Sequence, residues 1–260
     1  MAETGLLAGR RALVTGATAG LGRVIAEAIA GAGAEVAVHG RNRSRADEVV
    51  RGIGERGGSA HPVVGDLATG PEGLAAIHLA ARSALGSVDI LVNSAADQRL
   101  ALLGEAGWDT WREIIEVNLL AAVELTRLVC AGAADLERVS VVNVTSVEAR
   151  APFPGHAAYA ASKAGLQSFT VSAAKEWAPA RVNAVAPGLT DRPGLSQDWP
   201  QGWSFWAASA PLQRPVRPEE VAAAVVFLVS PLASGITGVT LPVDAGWSSS
   251  ARTPWHQHDE

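Results

Sequence analysis

Thr15-Gly16-Ala17-Thr18-Ala19-Gly20-Leu21-Gly22 lies between a short apolar run, Ala12-Leu13-Val14, and an Ala/Ile-rich segment that starts at Arg23. An apolar run, a glycine-rich turn and a segment of helical spacing together predict strand, turn and helix. Glycine lets the backbone come close to a pyrophosphate at a helix N-terminus, where unpaired amides point at the anion. The context that a dinucleotide-binding turn needs is therefore present, with Gly16, Thr18, Ala19, Gly20, Leu21 and Gly22 as its candidate contacts.

Working outward, β-branched runs recur at residues 12–15, 35–38, 61–64, 89–92, 139–144, 181–185 and 239–243, which predicts seven strands. Helical spacing fills residues 21–32, 45–56, 71–85, 108–131, 157–177 and 218–229. Strand-helix alternation predicts parallel pairing, and continuous apolar strands predict a sheet covered on both faces. The expected fold is α/β, a Rossmann-type doubly wound, seven-stranded, mainly parallel sheet with helices on both faces. It spans residues 1–260 as one dinucleotide-binding and catalytic domain. Residues 188–217 read as an irregular aromatic insertion, since long loops in compact domains are usually functional, and residues 248–260 as a polar tail.

Composition narrows the function. The 260 residues are 48% hydrophobic with a net charge of −5, which suits a globular protein and gives no footprint for a nucleic-acid backbone. The start lacks a secretory pattern and no run is long enough to span a membrane, so the expected location is cytoplasmic. Cys130 is the only cysteine, which excludes an internal disulfide and reads as a buried small hydrophobe.

The chain has one tyrosine and two lysines, and Tyr159-Ala-Ala-Ser-Lys163 sets one of each four residues apart. On a helix this spacing puts a phenol and an ammonium on one face. Upstream, Val141-Val142-Asn143-Val144 ends at Thr145-Ser146, and the C-terminal ends of parallel strands are where such sheets hold ligands.

With these pieces, Asp66, Asn93-Ser94-Ala95, Asn118, Pro187-Gly188 and the closing segment 238–246, the chain resembles the short-chain dehydrogenase/reductase family over nearly its whole length. The resemblance implies hydride transfer between a nicotinamide cofactor and a ketone or secondary alcohol. It implies Tyr159 as general acid/base and Lys163 as the ammonium that, together with the positive ring of the oxidised nicotinamide, lowers the phenol's pKa and that bonds the nicotinamide ribose. Ser146 would donate to the substrate oxygen, and Asn118 would hold the helix backbone and a water linked to Lys163, although an asparagine inside a helix also serves structure alone. Asp66, followed by Leu67, would read the adenine amino group or cap a helix.

The chain departs from the family pattern in places. Asn93, Ser94, Ala95 and Ala96 differ from the usual Asn-Asn-Ala-Gly at two positions. After Pro187-Gly188, Leu189-Thr190 leaves Thr190 as the substitute carboxamide contact. At the end of the second strand Gly40 replaces the ribose-binding acid, and Arg41 follows it. An arginine there pairs with a 2′-phosphate, so NADP(H) is expected over NAD(H), a solvated loop arginine being the plainer reading.

Ser146, Glu148, His156, Trp199, Trp203 and Trp206 are the candidates for touching substrate. The tryptophans are expected in a mobile lid over a hydrophobic or aromatic carbonyl/alcohol substrate, or between subunits. Family resemblance also implies a homo-oligomer, dimer or tetramer, through the helices carrying Asn118 and Tyr159. Two other functions stay open, an epimerase or dehydratase on the same fold and a cofactor-binding protein without turnover. No partner nucleic acid, membrane or metal is expected.

Overall fold

The computed structural model describes residues 5–249. Seven strands form one sheet in the order β3-β2-β1-β4-β5-β6-β7. They are β1 (Arg11–Val14), β2 (Glu35–Gly40), β3 (Ser59–Val64), β4 (Ile90–Asn93), β5 (Ser140–Val144), β6 (Arg181–Pro187) and β7 (Thr240–Val243). Every pairing is parallel, because each connection between neighbours carries a crossover helix. The chain runs outward from β1 to β3 and then returns to β4 on the other side of β1. Loops leave β1 and β4 in opposite directions there, opening a crevice at their C-terminal ends.

Side chains along each strand alternate between two cores. Ala12, Val14, Val36, Val38, Ile90, Val92 and Val142 pack on one face against α1 (Gly20–Gly31), α2 (Arg43–Glu55) and α9 (Pro218–Val229). Leu13, Ala37, Leu91 and Val141 pack on the other, against α3 (Gly70–Leu85), α5 (Ala121–Ala131) and α6 (Ala157–Glu176). Both strand faces are apolar because both meet helices, which is why the runs read as continuous and not alternating.

Two expected stretches differ in form. The helix expected over 108–131 is α4 (Trp108–Ile115), a π turn at Glu116–Leu120 and then α5. Asn118 sits in the π turn and spends its side chain on backbone outside the helix, and such turns form where a helix is pulled out of its regular ladder. The insertion at 188–217 is not wholly irregular, because it holds α7 (Leu195–Asp198) and α8 (Pro200–Ser209). Pro200 opens α8 at a position where its missing amide costs nothing. Of the expected polar tail, Ser248 and Ser249 belong to a short 3-10 turn, Trp247–Ser249; residues 250–260 lie outside the described residues.

Gly16 has φ +64°, and a Cβ on it would stand 2.8 Å from the Ala95 Cα. A Cβ on Gly22 would run into the Gly16 carbonyl. These glycines are thus fixed by backbone packing at the crevice as well as by ligand approach. Gly22→Ala should destabilise the fold by about 1–3 kcal/mol and lower Tm by several degrees. Gly54→Ala, in open space within α2, should raise it slightly; thermal denaturation of both variants checks the contrast.

Candidate active site

The glycine-rich turn connects β1 to α1, whose N-terminus at Gly20 has no side-chain cap. First-turn amides of a helix have no partner within it, so this end offers donors to an anion. Gly20 has φ +51° and open space where a side chain would stand, a fit for a phosphate. Arg41, just past β2, is exposed, with no hydrogen bond or ion pair among the described residues. A Cβ on Gly40 would stand 2.7 Å from the Thr18 Oγ1, so an acid at position 40 would crowd the phosphate turn. These residues fit a nicotinamide dinucleotide with a free guanidinium near the expected place of its adenosine ribose.

Thr15 follows β1 and accepts, through Oγ1, the amides of Ser94 (3.0 Å) and Ala95 (3.2 Å), holding the chain beyond β4 against the turn. Asn93 turns its amide nitrogen toward the neighbouring strand. Its Nδ2 donates to Asn143 Oδ1 at 2.8 Å, and Asn143 Nδ2 donates to Thr170 at 2.9 Å. Asn93 is buried at the end of β4, its Nδ2 in a polar ladder beneath the site and its Oδ1 without a hydrogen-bond partner among the described residues. Leu67 likewise commits its side chain to the core. Asp66 is exposed and caps its own turn by accepting from the Ala68 amide at 3.0 Å. It is not the helix cap considered from sequence, because Thr69 precedes α3.

On the opposite wall, β5 delivers Ser146 and α6 delivers Tyr159 and Lys163. Lys163 is fully buried, and its Nζ donates to the Val144 carbonyl at 2.8 Å while lying 5.7 Å from the Tyr159 ring centroid. Burial pushes the Tyr159 phenol up to about 12; hydrogen bonding with Ser146 pulls it down, and the Glu148 carboxylate pushes it further up. The expected downward shift is thus not produced by the protein alone, because desolvation outweighs the local help and the ammonium spends its hydrogen bond on a carbonyl. Burial also holds the Lys163 ammonium down at about 8.

Asn118 accepts from the Asp97 amide and donates to the Asp97 carbonyl (2.8 Å) and to Ser162 Oγ (3.0 Å). Its side chain thus ties the loop after β4 to α6. Pro187 ends β6 and Gly188 follows it, so close to Asp244 and Trp206 that a Cβ would strike both. Thr190 is pinned by a bridge to Val216 and donates to the Gly188 carbonyl at 3.3 Å.

Glu148 and His156 are brought together, Nδ1 to Oε2 at 2.8 Å, with the imidazole edge-on to Tyr159 at 5.8 Å between centroids. The aromatic residues divide. Trp206 is buried against Trp247 at 4.7 Å, so it is packing and not an exposed grip. Trp203 is half-buried, while Trp199 and Phe205 are about half exposed, at 50% and 51%. A cleft of about 650 Å³ opens beside the reacting centre, walled by Leu102, Leu103, Glu148, Phe153 and Ala160 among others; Tyr159 does not line it.

The family model described as "Enoyl-(Acyl carrier protein) reductase" matches residues 16–248. A 3-oxoacyl-[acyl-carrier-protein] reductase of Vibrio cholerae is 39% identical, over 92% of this chain and 98% of that protein. The chain belongs to the short-chain dehydrogenase/reductase family. This short-chain dehydrogenase/reductase is also 36% identical to a cis-4-hydroxycyclohexanecarboxylate dehydrogenase of Sinomonas cyclohexanicum, over 92% of this chain and 97% of the relative. A gluconate 5-dehydrogenase from Burkholderia cenocepacia, solved in complex with NADP and tartrate, superposes with a TM-score of 0.87 at 29% identity, covering 94% of this chain and 97% of that one. The protein is accordingly an oxidoreductase of the CH–OH/C=O class.

Several parts of this short-chain dehydrogenase/reductase site were not singled out from sequence. Thr15, Asn143, Thr170 and Asp97 set the positions of others, and Asp244 holds the Trp247 turn through the amides of Gly246 (2.9 Å) and Ser248 (2.8 Å). Only Asn143 carried a legible signal, a polar residue inside an otherwise apolar strand.

Because Tyr159 is the only tyrosine, tyrosinate absorbance reports on it alone. The protein without added dinucleotide should show no ionisation until the pH approaches about 12. A phenol raised above its unfolded value near ~10 stabilises the fold fully below that pH and ceases to as pH climbs through the folded value. Denaturation curves at rising alkaline pH should therefore lose stability in that window, and less so in Tyr159→Phe.

Proposed function

We propose that this protein is an NADP(H)-preferring oxidoreductase that interconverts a ketone and a secondary alcohol, with Tyr159 as general acid in reduction and general base in oxidation. The observation that carries this reading is the convergence of the Ser146 hydroxyl, the Tyr159 phenol and the buried Lys163 ammonium where β5 meets α6. When bound, the nicotinamide supplies or accepts the hydride. Gly16, Thr18 to Gly22 and Arg41 would hold its phosphates, Asp66, Leu67, Ala95 and Asn93 would flank the adenosine end, with Asn93 acting from below. Pro187, Gly188 and Thr190 would meet the carboxamide.

Ser146 donates to the substrate oxygen and stabilises the charge that grows on it. Tyr159 delivers or removes the proton at that oxygen. A phenol held near 12 by burial is too weak an acid for efficient exchange at neutral pH, so its work requires positive charge nearby. Lys163 supplies one such charge, at the end of the site nearest the strand. Asn118 holds the helix and the loop from which Ser162 and Asp97 are positioned.

Residues 1–260 act as one domain, with 188–217 as a lid whose exposed Trp199 and Phe205 and half-buried Trp203 offer apolar surface to a hydrophobic or ring-bearing substrate. Small exposed residues on α6, Ala161 and Ala164, support a homo-oligomer built on this helix. No described helix is long and apolar enough to cross a membrane, in keeping with a cytoplasmic enzyme.

A panel of ketones and secondary alcohols assayed with both cofactors by reduced-nicotinamide absorbance tests the reading. Tyr159→Phe should lower kcat by about 10²–10⁴-fold while leaving NADPH binding, followed by fluorescence, within a few-fold; full retention of turnover would sink the assignment. Arg41→Ala should raise the KM for NADPH by about 10–100-fold, the worth of a charged hydrogen bond, and change that for NADH much less. Equal effects on the two cofactors would remove the 2′-phosphate role.

A further inference from the structure

Two pairs of side chains face each other between the turn after β5 and the start of α6. Ser146 acts on the Tyr159 phenol on the inside, and on the outside Glu148 is bonded to His156 at 2.8 Å. They are built by the same local devices. Ser146 Oγ accepts the Glu148 amide at 3.1 Å, fixing the turn that carries both residues, while His156 is the N-cap residue of α6, edge-on to the Tyr159 ring. Lys163 and Tyr159 therefore follow one another along α6, the lysine tethered at the strand end, and the imidazole stands beyond the phenol at the mouth of the helix. The imidazole and the Tyr159 ring stand 5.8 Å apart, edge to face, close enough for one small substrate to reach from the phenol to the imidazole.

The chemistry of the outer pair is defined. With Nδ1 engaged on a carboxylate, the ring is held in one orientation and one tautomer, and its Nε2 becomes the outward group. That nitrogen has no hydrogen bond among the described residues, and the ring is partly exposed, at 23% of its side chain. Glu148 is the one charged residue among those lining the neighbouring cleft, whose other walls include Leu102, Phe153 and Ala160. A substrate with its reacting oxygen on Ser146 and Tyr159 thus has beside it an otherwise apolar cleft whose one charged wall residue, Glu148, holds the imidazole that stands next to the phenol.

We infer that His156, positioned by Glu148, selects substrates carrying a hydroxyl on the carbon next to the reacting carbonyl, that is, α-hydroxy ketones and the corresponding vicinal diols. The inference rests on the reductase reading above and names the substrate class of that same site. The hydroxyl bonds the imidazole Nε2, which the analogue without it leaves unpaired, a discrimination that apolar contact alone does not reach.

The test compares kcat/KM for matched pairs, 2-hydroxyacetophenone against acetophenone and acetoin against butanone, with NADPH. Wild type should prefer the hydroxylated member of each pair by about 10–100-fold. His156→Phe should collapse that ratio to near unity, and His156→Gln, which keeps a hydrogen-bonding group, should retain part of it. Glu148→Gln should lower the ratio mainly through KM for the hydroxy ketone, as expected of a positioning residue. Thermal denaturation identifies any variant that fails to fold, and the remaining two then carry the test. A wild type without preference, or variants that lower both members of each pair equally, would overturn the inference while leaving the reductase reading standing. Absence of NADPH oxidation with every compound here and in the wider panel would remove both.

Discussion

The site depends on a charged group kept where water does not reach. Lys163 is fully buried, and its ammonium is tied to the Val144 carbonyl at the last residue of β5. That bond fixes α6 against the sheet at one height, and everything else on the helix takes its position from there. Tyr159 lands beside Ser146 because it lies one helical turn before the lysine, and His156 lands beside Glu148 because it lies nearly one turn before the tyrosine. Burial depresses the ammonium to about 8, so the arrangement costs stability at neutral pH, a cost that folding onto a large two-sided core offsets.

The crevice opposite is shaped by contacts that tolerate no side chain. Gly16 meets Ala95, Gly22 meets the Gly16 carbonyl, and Thr15 holds the amides of Ser94 and Ala95. The dinucleotide turn and the loop after β4 are therefore a single packed unit. The replacement of the usual Asn-Asn-Ala-Gly by Asn-Ser-Ala-Ala is absorbed there, because the small Ser94 and Ala95 preserve the close approach.

Seven strands and their helices were legible because apolar periodicity reports directly on a sheet covered on both faces. Ser146, Tyr159 and Lys163 were legible because a rare tyrosine and a rare lysine at helical spacing leave little choice of partner. What the residues did not announce was where side chains spend their hydrogen bonds. Asn93 and Asn143 look alike in a strand pattern, yet both belong to a buried ladder that exists only once β4, β5 and α6 are assembled. Asn118 was readable as important but not as the clasp on Asp97, since that bond spans the chain between two elements. The upward push of burial on the phenol was not legible for the same reason, because desolvation is a property of the closed site and not of the Tyr-to-Lys spacing.

The π turn at Glu116–Leu120 makes α4 and α5 one rod with a phase slip. Each residue advances a helix by about 100°, so shortening this segment by one position would let the ladder close regularly and swing Asn118 away from Asp97. A change of length at this turn consequently disturbs the site more than a change of side chain on the solvent side of the same rod. The surplus residue works as a clocking pin that sets the rotation of α4 relative to α5.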